Sequence, residues 1–429
     1  METAALYQLF KKQKQVSTDT RKITKDSIFF ALKGPRFNGN NYALEALEKG
    51  ASFAVIDELS PEHKDHPQLI LVENVLESLQ KIANIHRKTL GIPVIAITGS
   101  NGKTTTKELV YQVLSQKFKT YATPGNFNNH IGLPLTILRT PPETEMLILE
   151  MGDNNLGEIA VLCEIANPDY GLITNIGKDH LEGFGSFENN LRAKSELFQY
   201  LIQNSGNAFI PTKDPILKNM AKRFKNPILF GDTGNQSFLQ LNEQTVFVSF
   251  RTEEGKVHQT QLFGKYNFAN VEAAYSIGKY FKIPYEELVK AICDYIPQNN
   301  RSQIIEKAKN TLLLDAYNAN PSSVSAVLES FISMQSEKPK IVILGDMLEL
   351  GKTSKQEHFD IAEKGTQANL ICIFCGALFY EVRESFKKGL FFKDKEQLIQ
   401  YLLKTPIMNH MVLLKGSRGL KLETLIEYL

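Results

Sequence analysis

Long apolar runs are missing from this 429-residue chain. The longest, such as 341–344 and 411–414, are far too short to cross a bilayer. The opening METAALYQLFKKQKQ lacks the extended apolar core of a secretory signal. Cysteine is scarce, with four in the whole chain, which argues against a secreted disulfide scaffold. Charge of one sign is missing too: 49 Lys and Arg face 47 Asp and Glu, a net charge of +2. A general nucleic-acid or membrane-surface role would show a clustered basic surplus. No fixed-period repeat and no low-complexity tract is visible. These absences point to a soluble cytoplasmic protein without nucleic-acid or membrane partners. Cys372 and Cys375 form a C-x-x-C pair, but they sit in an apolar, strand-like run with no second pair to complete a zinc site. A structural role is expected for them.

With 42% hydrophobic and 22% charged residues, the chain is long enough for two to four domains, each with its own core. Residues 1–90 carry apolar runs at 28–32, 53–57 and 69–72, with helix-like stretches at 42–49 and 74–88, and read as a small α/β domain. Gly91-Ile92-Pro93 breaks the pattern. Residues 91–297 then show buried-strand candidates at 94–98, 146–150 and 170–174 beside helical sequence, the rhythm of a parallel sheet wrapped by helices. Within them, 207–263 has short strands and little helical periodicity, which suggests an antiparallel annex. From 298 to 429, TLLLDAY, KIVILGD, NLICIF and MVLLK give four β/α units and predict a doubly wound, Rossmann-like domain. The expected fold is α/β in three domains.

The strongest motif is Thr98-Gly99-Ser100-Asn101-Gly102-Lys103-Thr104-Thr105. It follows the β-branched run VIAIT and precedes a helix whose Leu109, Val110, Val113, Leu114 and Phe118 form one apolar stripe. Glycines let backbone N–H groups curl around phosphate oxygens at a helix N-terminus. Lys103 would add charge near the β- and γ-phosphates, and the Thr104 hydroxyl would ligate Mg²⁺. A glycine-rich helix cap is the plain alternative. The general pattern G-x-x-x-x-G-K-[ST] requires glycine at 97, where this chain has Ile97.

The shorter T-G-S-N-G-K-T-T form resembles the loop of the Mur ligase and folylpolyglutamate synthase superfamily, which activates a carboxylate with ATP and then aminates it. Further motifs follow in the order of the branch that adds D-alanyl-D-alanine to UDP-N-acetylmuramoyl-tripeptide. They are STDTRK (17–22), FFALKGPRFNG (29–39), GNFNNHIGLPLTIL (125–138), EMGDNNLGEI (150–159), HLEGFGS (180–186), AKSELF (193–198), DAYNANPSS (315–323), LGDMLELG (344–351) and KGSRG (415–419). YNANP and GDMLELG are specific to that branch. The resemblance implies ATP, two Mg²⁺ ions and two small-molecule substrates, UDP-N-acetylmuramoyl-tripeptide and D-alanyl-D-alanine; a monomer is expected.

It also implies roles residue by residue. Thr104 and Glu150 would bind Mg²⁺, His180 a second Mg²⁺, and Lys194 would carry a CO₂-derived carbamate that supplies anionic ligands; a solvated helix lysine is the alternative. Asn267 and Asn270 match asparagines near the nucleotide base. Arg301 resembles a linker arginine that reaches the γ-phosphate on closure, although Asn300 stands where the family usually has glycine. Asp315 resembles a ribose-binding carboxylate, or caps a helix. Asp179 replaces the alanine common before the histidine. Thr20 and Arg21 fall in the segment similar to the UDP-binding part. Asn126, Asn128 and Asn129 would meet the muramoyl peptide or order the phosphate loop. Asn318, Asn320, Lys415, Ser417 and Arg418 resemble C-terminal substrate contacts.

The implied chemistry is phosphorylation of the tripeptide carboxylate, then attack by the dipeptide amine, with the C-terminal domain rotating to close the site. Two rivals are a relative acting on folate or on the preceding tripeptide step, and a nucleotide-binding ATPase switch without ligase activity.

Overall fold

The computed structural model describes residues 1–429 except His180, Gln236 and Asn369 and the side chains of Glu62 and Leu181. Among the described residues, the N-terminal part builds a four-stranded parallel sheet in the order Val16–Ser17, Ile28–Phe30, Phe53–Ile56, Leu69–Leu71. The apolar runs at 28–32, 53–57 and 69–72 supply three of its strands. Asn74 accepts the Glu77 N–H at 3.0 Å and starts the helix Val75–Leu90, which stops immediately before Gly91-Ile92-Pro93. A further helix, Thr3–Gln13, packs on this one.

The central sheet is parallel throughout, in the order Ile228–Phe230, Asn207–Pro211, Tyr170–Ile173, Val94–Thr98, Met146–Glu150, Thr120–Ala122. Val94–Thr98 is buried along its whole length, as a strand covered on both faces must be. The 207–263 segment therefore divides in two. Its first two strands extend the parallel sheet, and Gln240–Asn242, Phe247–Arg251 and Val257–Phe263 form the antiparallel annex. The helix Lys103–Leu114 buries Leu109, Val110, Val113 and Leu114 and packs against the helix Phe268–Tyr280.

In the C-terminal part the strand order is Gln303–Lys307, Asn310–Leu314, Met411–Lys415, Lys340–Gly345, Ile371–Cys375, Leu390–Phe392. All neighbours are parallel except the first pair. Cys372 and Cys375 lie in one strand and belong to apolar clusters on opposite faces of the sheet, as residues three apart in a strand must. Burial pushes both thiols up to about 12. They are core residues.

Candidate active site

A cleft of about 690 Å³ opens where residues beyond the carboxyl ends of central strands meet loop, helix and strand-end residues of the C-terminal part. That is where open α/β sheets place their ligands. The phosphate loop forms one wall. Gly99 has φ +138°, and a Cβ there would lie 2.1 Å from Thr174 Oγ1; Gly102 has φ +80°, and a Cβ would lie 2.3 Å from Asn270 Oδ1. Only glycine fits either position. Thr98 is buried beneath the loop. Ser100, Asn101, Gly102, Lys103, Thr104 and Thr105 line the cleft.

Lys103 Nζ donates to the carbonyls of Gly99 and Ser100. Burial, followed by the nearby Lys194 ammonium, holds its pKa below the ordinary lysine value. Glu150 ends its strand and is buried; Oε2 accepts the Thr104 hydroxyl at 2.9 Å and Oε1 accepts Asn128 Nδ2 at 2.8 Å. A hydroxyl and a carboxylate side by side beneath a phosphate loop are the hard oxygen donors that Mg²⁺ takes. Among the described residues no three His, Cys, Asp or Glu side chains form a self-contained metal cage. Mg²⁺ at nucleotide sites ordinarily uses one or two carboxylates, with water and phosphates completing its shell.

Asn126, Asn128 and Asn129 all reach the cleft wall. Asn128 orients Glu150, whereas Asn129 Oδ1 accepts the Ile131 and Gly132 N–H groups and starts the helix Gly132–Leu138. Asn267 and Asn270 also line the cleft, hydrogen-bonded to each other at 2.8 Å. Asn270 accepts the Thr106 hydroxyl at 3.0 Å and so braces the phosphate-loop helix. Arg301 lies over Tyr317, its guanidinium carbon 3.6 Å from the ring centroid, and its buried Nε has no hydrogen-bond partner among the described residues. Asp315 accepts the Ser302 N–H at 3.0 Å and pairs with Lys415 at 2.6 Å. The cap of the following helix is Asn320, not Asp315.

Lys194 is fully buried, with Nζ 2.9 Å from Asp153 Oδ1 and 3.4 Å from Asp179 Oδ2. It is not a solvated helix lysine. Asp179 also accepts the Ser100 hydroxyl and, at 2.5 Å, the Asn190 amide. Burial alone would raise the Asp179 pKa; the Lys194 and Lys103 charges with these hydrogen bonds outweigh it and bring the group below its usual value.

Asn318, Asn320 and Lys415 join the cleft, while Ser417 and Arg418 line a smaller neighbouring one with Asp179. Thr20 and Arg21 do not line either cleft; Arg21 is exposed and paired with Asp19 at 2.9 Å. His180 lies outside the described residues. Reading the sequence missed Asp153, Asn175 and Tyr317. Asp153 follows the strand-end Glu150 by three residues, and Asn175 follows the strand Tyr170–Ile173, so position at a strand end was the available signal.

Comparison with known proteins adds a family match on each side of this cleft. The Mur ligase middle-domain model matches residues 97–278, and that of the Mur ligase glutamate ligase domain matches 300–418. The UDP-N-acetylmuramoyl-tripeptide--D-alanyl-D-alanine ligase of Bacillus subtilis is 34% identical, over 96% of this chain and 92% of that protein. The enzyme of the same name from Escherichia coli is 32% identical, over 96% and 93%. A crystal structure of MurF from Acinetobacter baumannii superposes with TM-score 0.86 at 28% identity, covering 97% of this chain and 93% of that one. The Thermotoga maritima MurF ligase, solved in complex with ADP, gives 0.85 at 26% identity and 97% of both chains.

Proposed function

This chain belongs to the Mur ligase family, and we propose that it uses ATP to join D-alanyl-D-alanine to UDP-N-acetylmuramoyl-tripeptide in peptidoglycan precursor synthesis. The observation that carries this reading is the cleft itself. A phosphate loop, the Thr104–Glu150 oxygen pair and the C-terminal Asn318, Asn320 and Lys415 face one space, in a chain alike along nearly its whole length to ligases of that name.

The tripeptide carboxylate attacks the γ-phosphorus of ATP, the bond to the β,γ-bridging oxygen breaks, and ADP leaves an acyl phosphate. The dipeptide amine then attacks the acyl carbon, loses a proton, and inorganic phosphate departs. Lys103 and Arg301 offer the cationic donors for charge on the transferring group. Mg²⁺, held by the Thr104 hydroxyl and the Glu150 carboxylate, would neutralise the β- and γ-phosphates. Asn128 keeps the Glu150 carboxylate aimed. Thr20 and Arg21 are assigned to the UDP end of the substrate, and Ser417 and Arg418 to the dipeptide side. Domains at 1–90, 91–297 and 298–429, a monomeric state and a cytoplasmic location complete the proposal. Among the described residues no helix is long and apolar enough to cross a membrane.

The resemblance further implies a carbamate on Lys194 and a second Mg²⁺ with His180. As an ammonium, Lys194 offsets part of the Asp153 and Asp179 charge. A carbamate would add a third anion to a buried cluster, which is tolerable only with a divalent cation seated among them. Asp153 Oδ2 is buried without a hydrogen-bond partner among the described residues, and Asp179 Oδ2 faces the Lys194 ammonium at 3.4 Å without a hydrogen bond, so both oxygens are available to it. Modification and second metal are therefore proposed to come together. Lys194→Ala should regain activity with small carboxylates if the carbamate exists; no rescue retires it.

The reaction is tested by phosphate release from purified protein given the UDP-linked tripeptide and D-alanyl-D-alanine singly and together. Release that needs both supports the ligase. Release without either marks an ATPase switch, and turnover with folate and glutamate marks the other rival.

A further inference from the structure

The C-terminal part touches the phosphate loop through a side chain that has a second task. Asn320 precedes the helix Pro321–Ser333, and its Oδ1 accepts the Ser323 N–H at 2.8 Å while Ser323 Oγ accepts the Asn320 N–H at 3.1 Å. Capping a helix in this way needs only an acceptor, and Ser or Asp would serve as well as Asn. Asn320 also carries an amide NH₂ group. Its Nδ2 donates to Asn101 Oδ1 at 2.8 Å, across 219 residues of sequence.

Asn101 is held firmly from its own side. Its N–H donates to Asn175 Oδ1 at 3.0 Å, and its carbonyl accepts the Thr174 hydroxyl at 2.7 Å and Asn175 Nδ2 at 2.9 Å. The side-chain oxygen is what it presents to the C-terminal part. Close by, the Lys178 N–H donates to Ser322 Oγ at 3.3 Å. A Cβ on Gly177 would come within 3.3 Å of Ser100 Cβ and 3.4 Å of both Asn101 Nδ2 and Ser322 Oγ. Loop, 175–178 segment and helix start are thus in mutual contact.

We propose that Asn320 is a positioning residue that couples seating of the C-terminal part to the geometry of the phosphate loop, one end of its amide fixing the helix and the other gripping Asn101. The bond exists only while the two parts are together, so it reports closure directly to the loop that holds the γ-phosphate. This rests on the ligase reading above.

Asn320→Ser in the full chain separates the two tasks, because Ser keeps the cap but has no group that reaches Asn101. The melting temperature should stay within about a degree, given the equal capping strength of Ser and Asn. The rate of acyl-phosphate formation should fall about three- to tenfold, the shift one net hydrogen bond makes, with KM for the UDP-linked substrate unchanged. Compaction in small-angle scattering, with an ATP analogue and both substrates, should weaken in parallel. Combined with Asn101→Ala, the double variant should lose no more than the worse single one, since both changes break one bond. Multiplicative losses, or an Asn320→Ser enzyme with wild-type rate and compaction, would overturn the coupling. A wild-type enzyme that releases phosphate without both substrates would instead sink the ligase reading and leave the compaction result standing.

Discussion

The central sheet is joined to its two neighbours in opposite ways. Toward the N-terminal part the joint is apolar: Leu6, Phe10, Ile28, Leu79 and Ile82 share one continuous core with Val94, Leu133, Ile137 and Leu162. Arg87, only 4% exposed, drives through that joint to the carbonyls of Ala166 at 2.9 Å and Asn167 at 3.0 Å and to Asp169 at 2.7 Å. Toward the C-terminal part the contacts are polar. They include Asn320 to Asn101, Ser322 to Lys178, the Lys178–Glu357 pair at 3.0 Å, and the Glu182 N–H to the Glu349 carbonyl at 3.1 Å. A small apolar seam around Phe263 and Tyr266 accompanies them. Polar joints move and large apolar ones do not. The N-terminal part is therefore fixed to the central sheet by a shared core, while the C-terminal wall of the cleft is held mainly by polar contacts.

That division fails outright if the chemistry does not sit in the central part. Lys103→Ala should lower acyl-phosphate formation by about 10²–10³-fold, the range for losing one preorganised donor. Calorimetric titration should show UDP-substrate affinity nearly unchanged, because that side rides on the rigid joint. Loss of both would mean the two functions are not separable. Next in size is Arg87→Ala, which strands buried carbonyls and should destabilise by about 2–3 kcal/mol. Its urea unfolding should split into two transitions as the N-terminal part uncouples; a single transition shifted as a whole would show that the apolar core alone makes the joint rigid.

How far this was legible beforehand follows the same divide between local and distant causes. The stripe Leu109, Val110, Val113, Leu114 announced its helix, and the β-branched 94–98 run its strand, because each pattern is carried by adjacent residues. The short strands Thr120–Ala122 and Ile228–Phe230 have three residues each, too few to show a period, and neighbours in the sheet make them strands. Site residues at glycine turns and strand ends were readable. The burial of Lys194 between Asp153 and Asp179 was not, since it depends on segments 41 and 15 residues away meeting one helix face. Nor could the sequence show that Asp315 pairs with Lys415 and leaves the cap to Asn320.

The C-terminal part should also respond to acid on its own. His358 is fully buried; its Nε2 accepts the Met347 N–H at 3.0 Å, and Asp346 lies 3.9 Å away. Burial holds the imidazole pKa below its usual value despite the nearby carboxylate. Below about pH 6.5 the unfolded chain then binds a proton that the folded one refuses, so stability falls as pH drops through that value. His358→Gln should flatten the slope, at some loss of stability at neutral pH. An unchanged slope, followed by thermal unfolding between pH 7 and pH 5.5, would place the acid sensitivity elsewhere.

The smallest effect tests the hinge side most selectively. Lys178 and Glu357 form an ion pair across the polar joint, with side-chain exposures of 58% and 13%. With the lysine largely in solvent, the pair contributes about 0.2–1 kcal/mol to stability, and Lys178→Ala should move the melting temperature only slightly. Because the pair exists only when the parts are together, the same small energy biases closure and should lower turnover by about twofold at low salt. At 0.5 M salt, where screening lengths drop to roughly 4 Å, wild type and variant should converge. A salt-independent difference would mean that Lys178 acts through its packing beside Ser322 rather than through charge, and the polar joint would then owe its fit to shape as much as to electrostatics.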